Sequence, residues 1–308
     1  MATTGTSTFN LDVNDLIEEA FERCGKELRT GYDFRTARRS LNIMSIEWAN
    51  RGINLWTVEQ GQIVLATGQA IYPLPVDTID LMDQVVRQNN GTTNQIDINI
   101  TRIAEPTYIT IPNKLTQGRP IQVWINRQSG QENATTITAA QYIAATDTTI
   151  TLSSTVGLAT SGFIKIGDET ISYPNVSGNQ LINCARGQNN TTAAPHSIGD
   201  AVTVQNLPCI NVWPTPNAPG DQYTFIYYRL RRIQDAGSGT YLQDIPFRFI
   251  PAMVSGLAYH ISMKLADVDP NRVIALKADY EELFMQAADE DRDKSPLRFV
   301  PRNTFYTR

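Results

Sequence analysis

The chain has 308 residues, of which 41% are hydrophobic and 19% charged, and its formal net charge is −5. This length allows a sizeable core or two domains, and the negative charge argues against nucleic-acid binding over the whole surface, which needs a basic face. No apolar run approaches the ~20 residues of a membrane helix, and the polar N-terminal residues predict no signal peptide. Three scattered cysteines indicate a reducing compartment rather than a disulfide framework.

The first fifty residues predict two amphipathic helices. Asp12 is the expected N-cap of a helix whose apolar residues recur at helical spacing from Val13 to Cys24, and Gly25 suits its end. Asp33 is the expected cap of the second helix, which ends near Arg51. The apolar stripe of the second helix consists of Phe34, Ala37, Leu41, Met44, Ile46 and Trp48.

Three arginines, Arg35, Arg38 and Arg39, are expected on the exposed side of the second helix. A solvated helix face is one interpretation. The other is a contact with an acidic neighbouring subunit or with nucleic-acid phosphate, which makes the three residues candidates for an inter-subunit surface.

From Ile53 the pattern changes to alternation, which predicts strands. The expected strands are Gln62–Ala66, Ile79–Arg87, Ile96–Ile103 and Ile121–Asn126. The prolines within Tyr72–Pro75 exclude that phrase from a central strand, because proline donates no ladder hydrogen bond.

Residues 129–206 differ from the rest of the chain in being rich in Thr, Ala, Ser, Gly and Asn. We interpret them as an inserted small all-β domain, a barrel or a sandwich, and call them the insert. Its expected strands are Thr149–Leu152, Phe163–Ile166, Glu169–Tyr173 and Ala201–Val204. The flanking segments Ile121–Asn126 and Cys209–Trp213 are expected to pair, so that the insert grows from the turn of a hairpin. Insertions at exposed turns are tolerated because lengthening a loop costs little entropy.

A long strand, Tyr223–Ile233, is followed by two predicted helices between Ile245 and Lys294. Asp269 suits the N-cap of the second helix and Pro270 its first turn. Both helices need another apolar surface, which the N-terminal helices supply. The predicted fold is therefore α+β: a helical bundle from the two chain ends, packed with a central antiparallel β region. The bundle and β region form one body, residues 1–128 and 207–308, which carries the insert.

After Pro296 the chain is rich in aromatic residues and arginine, the residue types that dominate interface energies. A C-terminal docking segment is predicted, with a floppy tail as the alternative. The candidate docking residues are Arg298, Phe299, Arg302, Phe305, Tyr306 and Arg308.

Chemistry-bearing motifs are sparse. His196 and His260 have no metal-ligand partners at the usual spacing, and no phosphate-binding loop or nucleophile motif occurs. Asp168 and Glu169 are neighbours in sequence, but adjacent side chains do not converge on one point. The sequence therefore predicts no catalysis, no metal and no cofactor. A carboxylate pair assembled from distant strands stays open as an alternative.

The order of several phrases resembles the head-to-tail adaptors of short-tailed bacteriophages, of the tail tubular protein A type. The phrases, in chain order, are Leu41–Gly52, Tyr72–Asp77, Gly118–Pro120, Ile210–Pro216, Tyr223–Arg232 and Ile245–Pro246. The insert departs from that family's pattern. Its phrases Gly167–Tyr173 and Ala185–Gly187 resemble small β modules of phage structural proteins.

The resemblance implies a structural virion protein, assembled in the host cytoplasm, that forms a ring in the neck. It implies a dodecamer bound to the portal protein and to a tail nozzle of the tubular protein B type, with tail fibres as a further candidate partner. The ring would help to retain packaged DNA, which passes through its lumen without specific binding. Mild acidity fits such a lumen, because like charges repel phosphate.

Two other functions are open. The Thr- and Asn-rich insert suits a glycan-binding or host-attachment tail protein. A hydrolase that uses Asp168 or Glu169 is the third hypothesis.

Overall fold

The computed structural model describes residues 5–6, 9, 11–52, 55–217 and 223–292. Within these residues the fold is α+β, which confirms the predicted class. The chain divides into two compact units, a helical unit of residues 1–56 with 233–308 and a β unit of residues 57–232. The boundaries predicted for the insert both fall inside the β unit, and the insert as a separate domain stays a prediction.

The helices of the described residues are α1 (Val13–Arg23), α2 (Gly31–Arg51), α3 (Glu105–Ile109), α4 (Ile250–Ser262) and α5 (Pro270–Glu290). Two short 3-10 turns, Leu55–Thr57 and Phe247–Phe249, precede the first strand and α4. All the helices except α3 lie in the helical unit.

Side-chain caps fix where the helices begin. The Asp12 carboxylate accepts the Asp15 backbone N–H at 2.9 Å, as predicted for α1. The cap predicted for α2 is wrong by three residues, because Thr30 is its N-cap. Asp33 instead completes a capping box: the Thr30 hydroxyl accepts the Asp33 N–H at 3.2 Å, and the Asp33 carboxylate accepts the Thr30 N–H at 3.1 Å.

The core of the helical unit surrounds α4. Buried side chains of α1, α2 and α5 join those of α4 in one cluster, with Trp48 and Tyr280 among the largest. Gly256 of α4 permits this packing, because a Cβ there would lie 2.6 Å from the Met44 sulfur and 2.7 Å from a Tyr280 ring carbon. Ile46 is a correction to the predicted stripe of α2, since it is 64% exposed.

Gly256→Ala should destabilise the helical unit. Overpacking lowers the free energy of unfolding by about 1–3 kcal/mol, and the better helix propensity of alanine offsets about 1 kcal/mol of that loss. The control is Gly31→Ala, at the exposed first residue of α2, where no atom lies within 4 Å of the added Cβ. Thermal unfolding followed by helical circular dichroism should show a lower Tm for Gly256→Ala only. Equal midpoints for the two variants would contradict the packing argument.

The β unit contains two sheets of four strands and a short parallel pair. The first sheet has the order β1 (Val58–Val64), β18 (Tyr223–Arg231), β3 (Thr78–Gln88), β4 (Ile96–Asn99). The second has the order β2 (Ile71–Pro73), β16 (Cys209–Trp213), β7 (Gln122–Asn126), β5 (Thr101–Ile103). The parallel pair is β6 (Gln117–Gly118) with β17 (Thr215–Pro216).

Strands β7 and β16 pair antiparallel from Cys209 opposite Asn126 to Trp213 opposite Gln122, which confirms the predicted hairpin pairing. Strand β2 lies at the edge of this sheet, where its proline needs no ladder partner. Leu65, Val123, Ile210 and Phe225 are fully buried in the core that the two sheets share.

Between β7 and β16 the chain forms two further sheets. The larger has the order β14 (Ala185–Gln188), β11 (Glu169–Tyr173), β10 (Gly162–Ile166), β15 (Ala201–Gln205), β8 (Glu132–Thr138). The smaller has the order β12 (Asn175–Ser177), β13 (Gln180–Ile182), β9 (Ile150–Thr151). A core cluster of their own is centred on Ile143, Ile164, Ile171 and Leu181.

Candidate assembly surfaces and a buried ion cluster

The arginines predicted as an inter-subunit surface lie on α2. Arg35, Arg38 and Arg39 are exposed, and none has an ion-pair partner among the residues that the structure describes. Lys264 adds a fourth positive charge, and its ammonium donates to the Ser40 hydroxyl at 2.7 Å. Partial desolvation and the nearby charge of Arg39 lower the pKa of Lys264. This side of α2 is therefore an uncompensated basic surface.

Apolar side chains interrupt the same surface. Tyr32, Ile43 and Ile46 are 68%, 52% and 64% exposed. With Arg35 and Arg39 they recur every three or four residues, so they form one line along the helix. We call these five residues the α2 stripe. The core-facing residues Leu41, Met44 and Trp48 lie on the opposite side of α2. Contiguous exposed apolar residues with a polar rim are typical of protein–protein contact surfaces.

The predicted docking residues of the C-terminal segment lie outside the described residues. These are Arg298, Phe299, Arg302, Phe305, Tyr306 and Arg308. Their role stays a prediction.

The two carboxylates considered for catalysis, Asp168 and Glu169, lie in different environments although they are adjacent in sequence. Asp168 is exposed in the turn before β11, whereas Glu169 is buried. The Arg186 guanidinium donates to both carboxylate oxygens of Glu169, at 2.8 and 2.7 Å. Backbone N–H groups of Gly187 and Ala194 donate to it at 2.9 and 3.1 Å. The Nε2 atom of His196 lies 2.8 Å from the same carboxylate.

This cluster joins the two phrases that the sequence singled out in the insert. Glu169 comes from the first phrase and Arg186 from the second, and β11 pairs with β14 to bring them together. Arg186 also donates to the carbonyls of Ala144 and Ala194. In the sequence His196 has no metal-ligand partner at the usual spacing, and its contact with Glu169, 27 positions earlier, is not visible from spacing. The available signal was an ionisable residue, Glu169, at the start of a predicted strand.

The electrostatics favour an ionised Glu169. Burial alone would raise its pKa, but hydrogen bonds from Arg186, from the Ala194 and Gly187 backbone and from His196 outweigh burial. They lower the pKa from 4.5 to about 2. A carboxylate with every oxygen engaged and no exposure is a structural anchor and cannot reach a substrate.

This pKa predicts an acid-sensitive contribution to stability. Because the folded-state pKa is below the ordinary value, the contribution is complete above pH 4.5 and is lost as the pH falls toward 2. The difference in unfolding free energy between the native chain and Glu169→Gln should therefore shrink over that interval. Chemical denaturation of both proteins at several pH values measures it, and a constant difference would contradict the assigned charge state.

In the described part of the chain, no group of three or more His, Cys, Asp or Glu side chains is arranged to hold a metal ion. None of the described helices is long and apolar enough to span a membrane. The three cysteines are buried and unpaired, and burial raises the pKa of Cys184 and of Cys209 to about 12.

Comparison with known proteins adds one match. A search of curated proteins finds none. The sequence profile described as SU10 adaptor protein matches residues 119–300, which is more than half of the chain. The match takes in β7, the whole insert, the long strand β18 and both C-terminal helices. The chain therefore belongs to the SU10 adaptor family of phage head–tail adaptor proteins, which makes it a structural protein of the virion that contacts other capsid or tail proteins.

Proposed function

We propose that the chain is a neck adaptor of the tail tubular protein A type. It forms a dodecameric ring that connects the portal vertex to the tail nozzle and helps to retain the packaged genome. The family match over residues 119–300 carries this proposal. The order of phrases in the sequence, which resembles that adaptor type, supports the finer assignment.

The proposal includes the partners and the place of assembly. The portal protein lies on one side of the ring and a nozzle protein of the tubular protein B type on the other, with tail fibres as further partners. Assembly takes place in the host cytoplasm. DNA passes through the lumen without specific binding, in keeping with the net charge of −5.

The proposed function is structural and includes no catalysis. Support comes from Glu169, one of the two neighbouring carboxylates considered for catalysis, since contacts with Arg186 and His196 hold it inside the β unit. The finer architecture is also part of the proposal: the helices act as a bundle tiled around the ring axis, with the insert as a domain that contacts neighbouring proteins.

The C-terminal segment is proposed to dock on the portal. Deleting residues 295–308 should abolish portal capture in a pull-down, because it removes Phe299, Phe305 and Tyr306 together with their neighbouring arginines. A chain that carries the same fourteen residues in scrambled order is the control for length and charge. Undiminished capture by the deleted chain would remove this segment from the mechanism.

A further inference from the structure

Helix α5 carries a second exposed stripe, opposite in charge to that of α2. It consists of Ile274, Ala278, Glu282, Met285 and Asp289, and we call it the α5 stripe. Ile274 is 69% and Met285 63% exposed. The spacing of three and four residues puts all five on one side of the helix.

The two stripes cannot meet within one copy. Leu276, Tyr280 and Phe284 face the core from α5, so the α5 stripe is directed away from it. The α2 stripe is likewise opposite the core-facing side of α2. Among the residues that the structure describes, each stripe is thus an outer surface of the same helical unit with no element packed on it. One is apolar and basic, the other apolar and acidic.

The charges of the α5 stripe are available to a partner. Asp289 pairs with Arg292, but both side chains are mostly exposed, and such surface pairs contribute little. Glu282 accepts a hydrogen bond only from the neighbouring Gln286 amide among the contacts described for it. Because both contacts are weak, these carboxylates can form ion pairs with arginines of a neighbouring copy.

We propose that the α2 stripe of one copy packs antiparallel on the α5 stripe of the next copy. This inference rests on the proposed ring and names its repeating contact. Both helices have 21 residues and are therefore about 30 Å long, so they match in length. A basic surface on one side of the unit and an acidic one on another form a head-to-tail interface, the kind that closes into rings.

The antiparallel register follows from the spacing of the residues. With Arg39 opposite Glu282, Ile43 lies opposite Ala278 and Ile46 comes near Ile274. Arg35 then lies within one helical turn of Asp289. A parallel arrangement with Arg39 opposite Glu282 would instead place Arg35 opposite Ala278 and Ile46 opposite Asp289, so one arginine and one carboxylate would face apolar residues. The antiparallel one also brings the positive N-terminus of α2 to the negative C-terminus of α5.

Charge reversal and mixing test the interface. One variant carries Arg35→Glu and Arg39→Glu, and the other carries Glu282→Lys and Asp289→Lys. Each should assemble at least about tenfold more weakly than the native chain with purified portal present, because like charges then face each other. An equimolar mixture should assemble again, since every contact between unlike copies pairs opposite charges. Glu18→Lys with Glu22→Lys, a reversal of equal size on exposed residues of α1, should leave assembly unchanged.

Native mass spectrometry or sedimentation velocity gives the readout, and circular dichroism confirms that each variant is folded. If a double variant loses helical structure, the mixing experiment is repeated with the single variants Arg39→Glu and Glu282→Lys. Reversal variants that assemble like the native chain, or a mixture as dissociated as its parts, overturn this interface and leave the adaptor function standing. A native chain that neither assembles nor binds portal overturns both.

Discussion

Replacing Glu169 by glutamine should lower the free energy of unfolding of the β unit by about 3–5 kcal/mol. Removing one partner of a buried ion pair leaves the other charge uncompensated, and losses of that size are usual. The Arg186 guanidinium would keep its carbonyl contacts with Ala144 and Ala194 but lose its counter-charge. The backbone N–H of Gly187 or of Ala194 would also face an amide N–H₂ group.

The matched control is Glu132→Gln in the same sheet. Glu132 is an exposed carboxylate that pairs with Lys165 at 3.3 Å, so its replacement should cost no more than about 1 kcal/mol. Denaturant unfolding measures the free energy of unfolding of each variant. Hydrogen exchange read by mass spectrometry shows which residues lose protection. Exchange should accelerate across residues 132–205 in the Glu169 variant. Equal stabilities for the two variants would show that the buried cluster does not anchor the sheets of the insert.

Trp48→Ala should destabilise the helical unit by about 3–5 kcal/mol. Trp48 is fully buried, with its ring centroid 5.6 Å from that of Phe249 and 5.2 Å from that of Phe284. Its indole N–H donates to the Tyr280 hydroxyl at 2.8 Å. The truncation removes contacts to α5 and to the turn before α4, and it leaves a cavity where they meet.

The control is Ile46→Ala, two residues earlier on the exposed side of the same helix. It should change stability by no more than about 0.5 kcal/mol, as is usual for surface positions. Helical circular dichroism during denaturant unfolding compares the two. If Ile46→Ala costs as much as Trp48→Ala in the unassembled chain, the assignment of core and outer faces of α2 is wrong.

Local signals predicted the helices and the main strand pairing well. Asp12 and Asp269 cap α1 and α5 as expected, because a cap depends on residues adjacent in sequence. The pairing of β7 with β16 followed from two alternating segments on either side of a composition change. Asp33 was misassigned because a capping box places an acceptor at both its first and its fourth position.

Contacts between residues that are distant in the sequence could not be predicted from it. Ile46 was expected in the core because it is apolar, but which side of α2 faces α4 depends on the whole helical unit. Its exposure places Ile46 in one stripe with Arg35 and Arg39, two of the three predicted arginines. The approach of His196 and Arg186 to Glu169 depends on strand register in a sheet that only the structure gives.

Electron microscopy of the purified chain mixed with purified portal tests the adaptor function most directly. The account predicts closed rings seated on one face of the portal, with one copy of the chain for each copy of the portal protein. A chain that stays monomeric and unattached at every ratio, while remaining folded by circular dichroism, would contradict it.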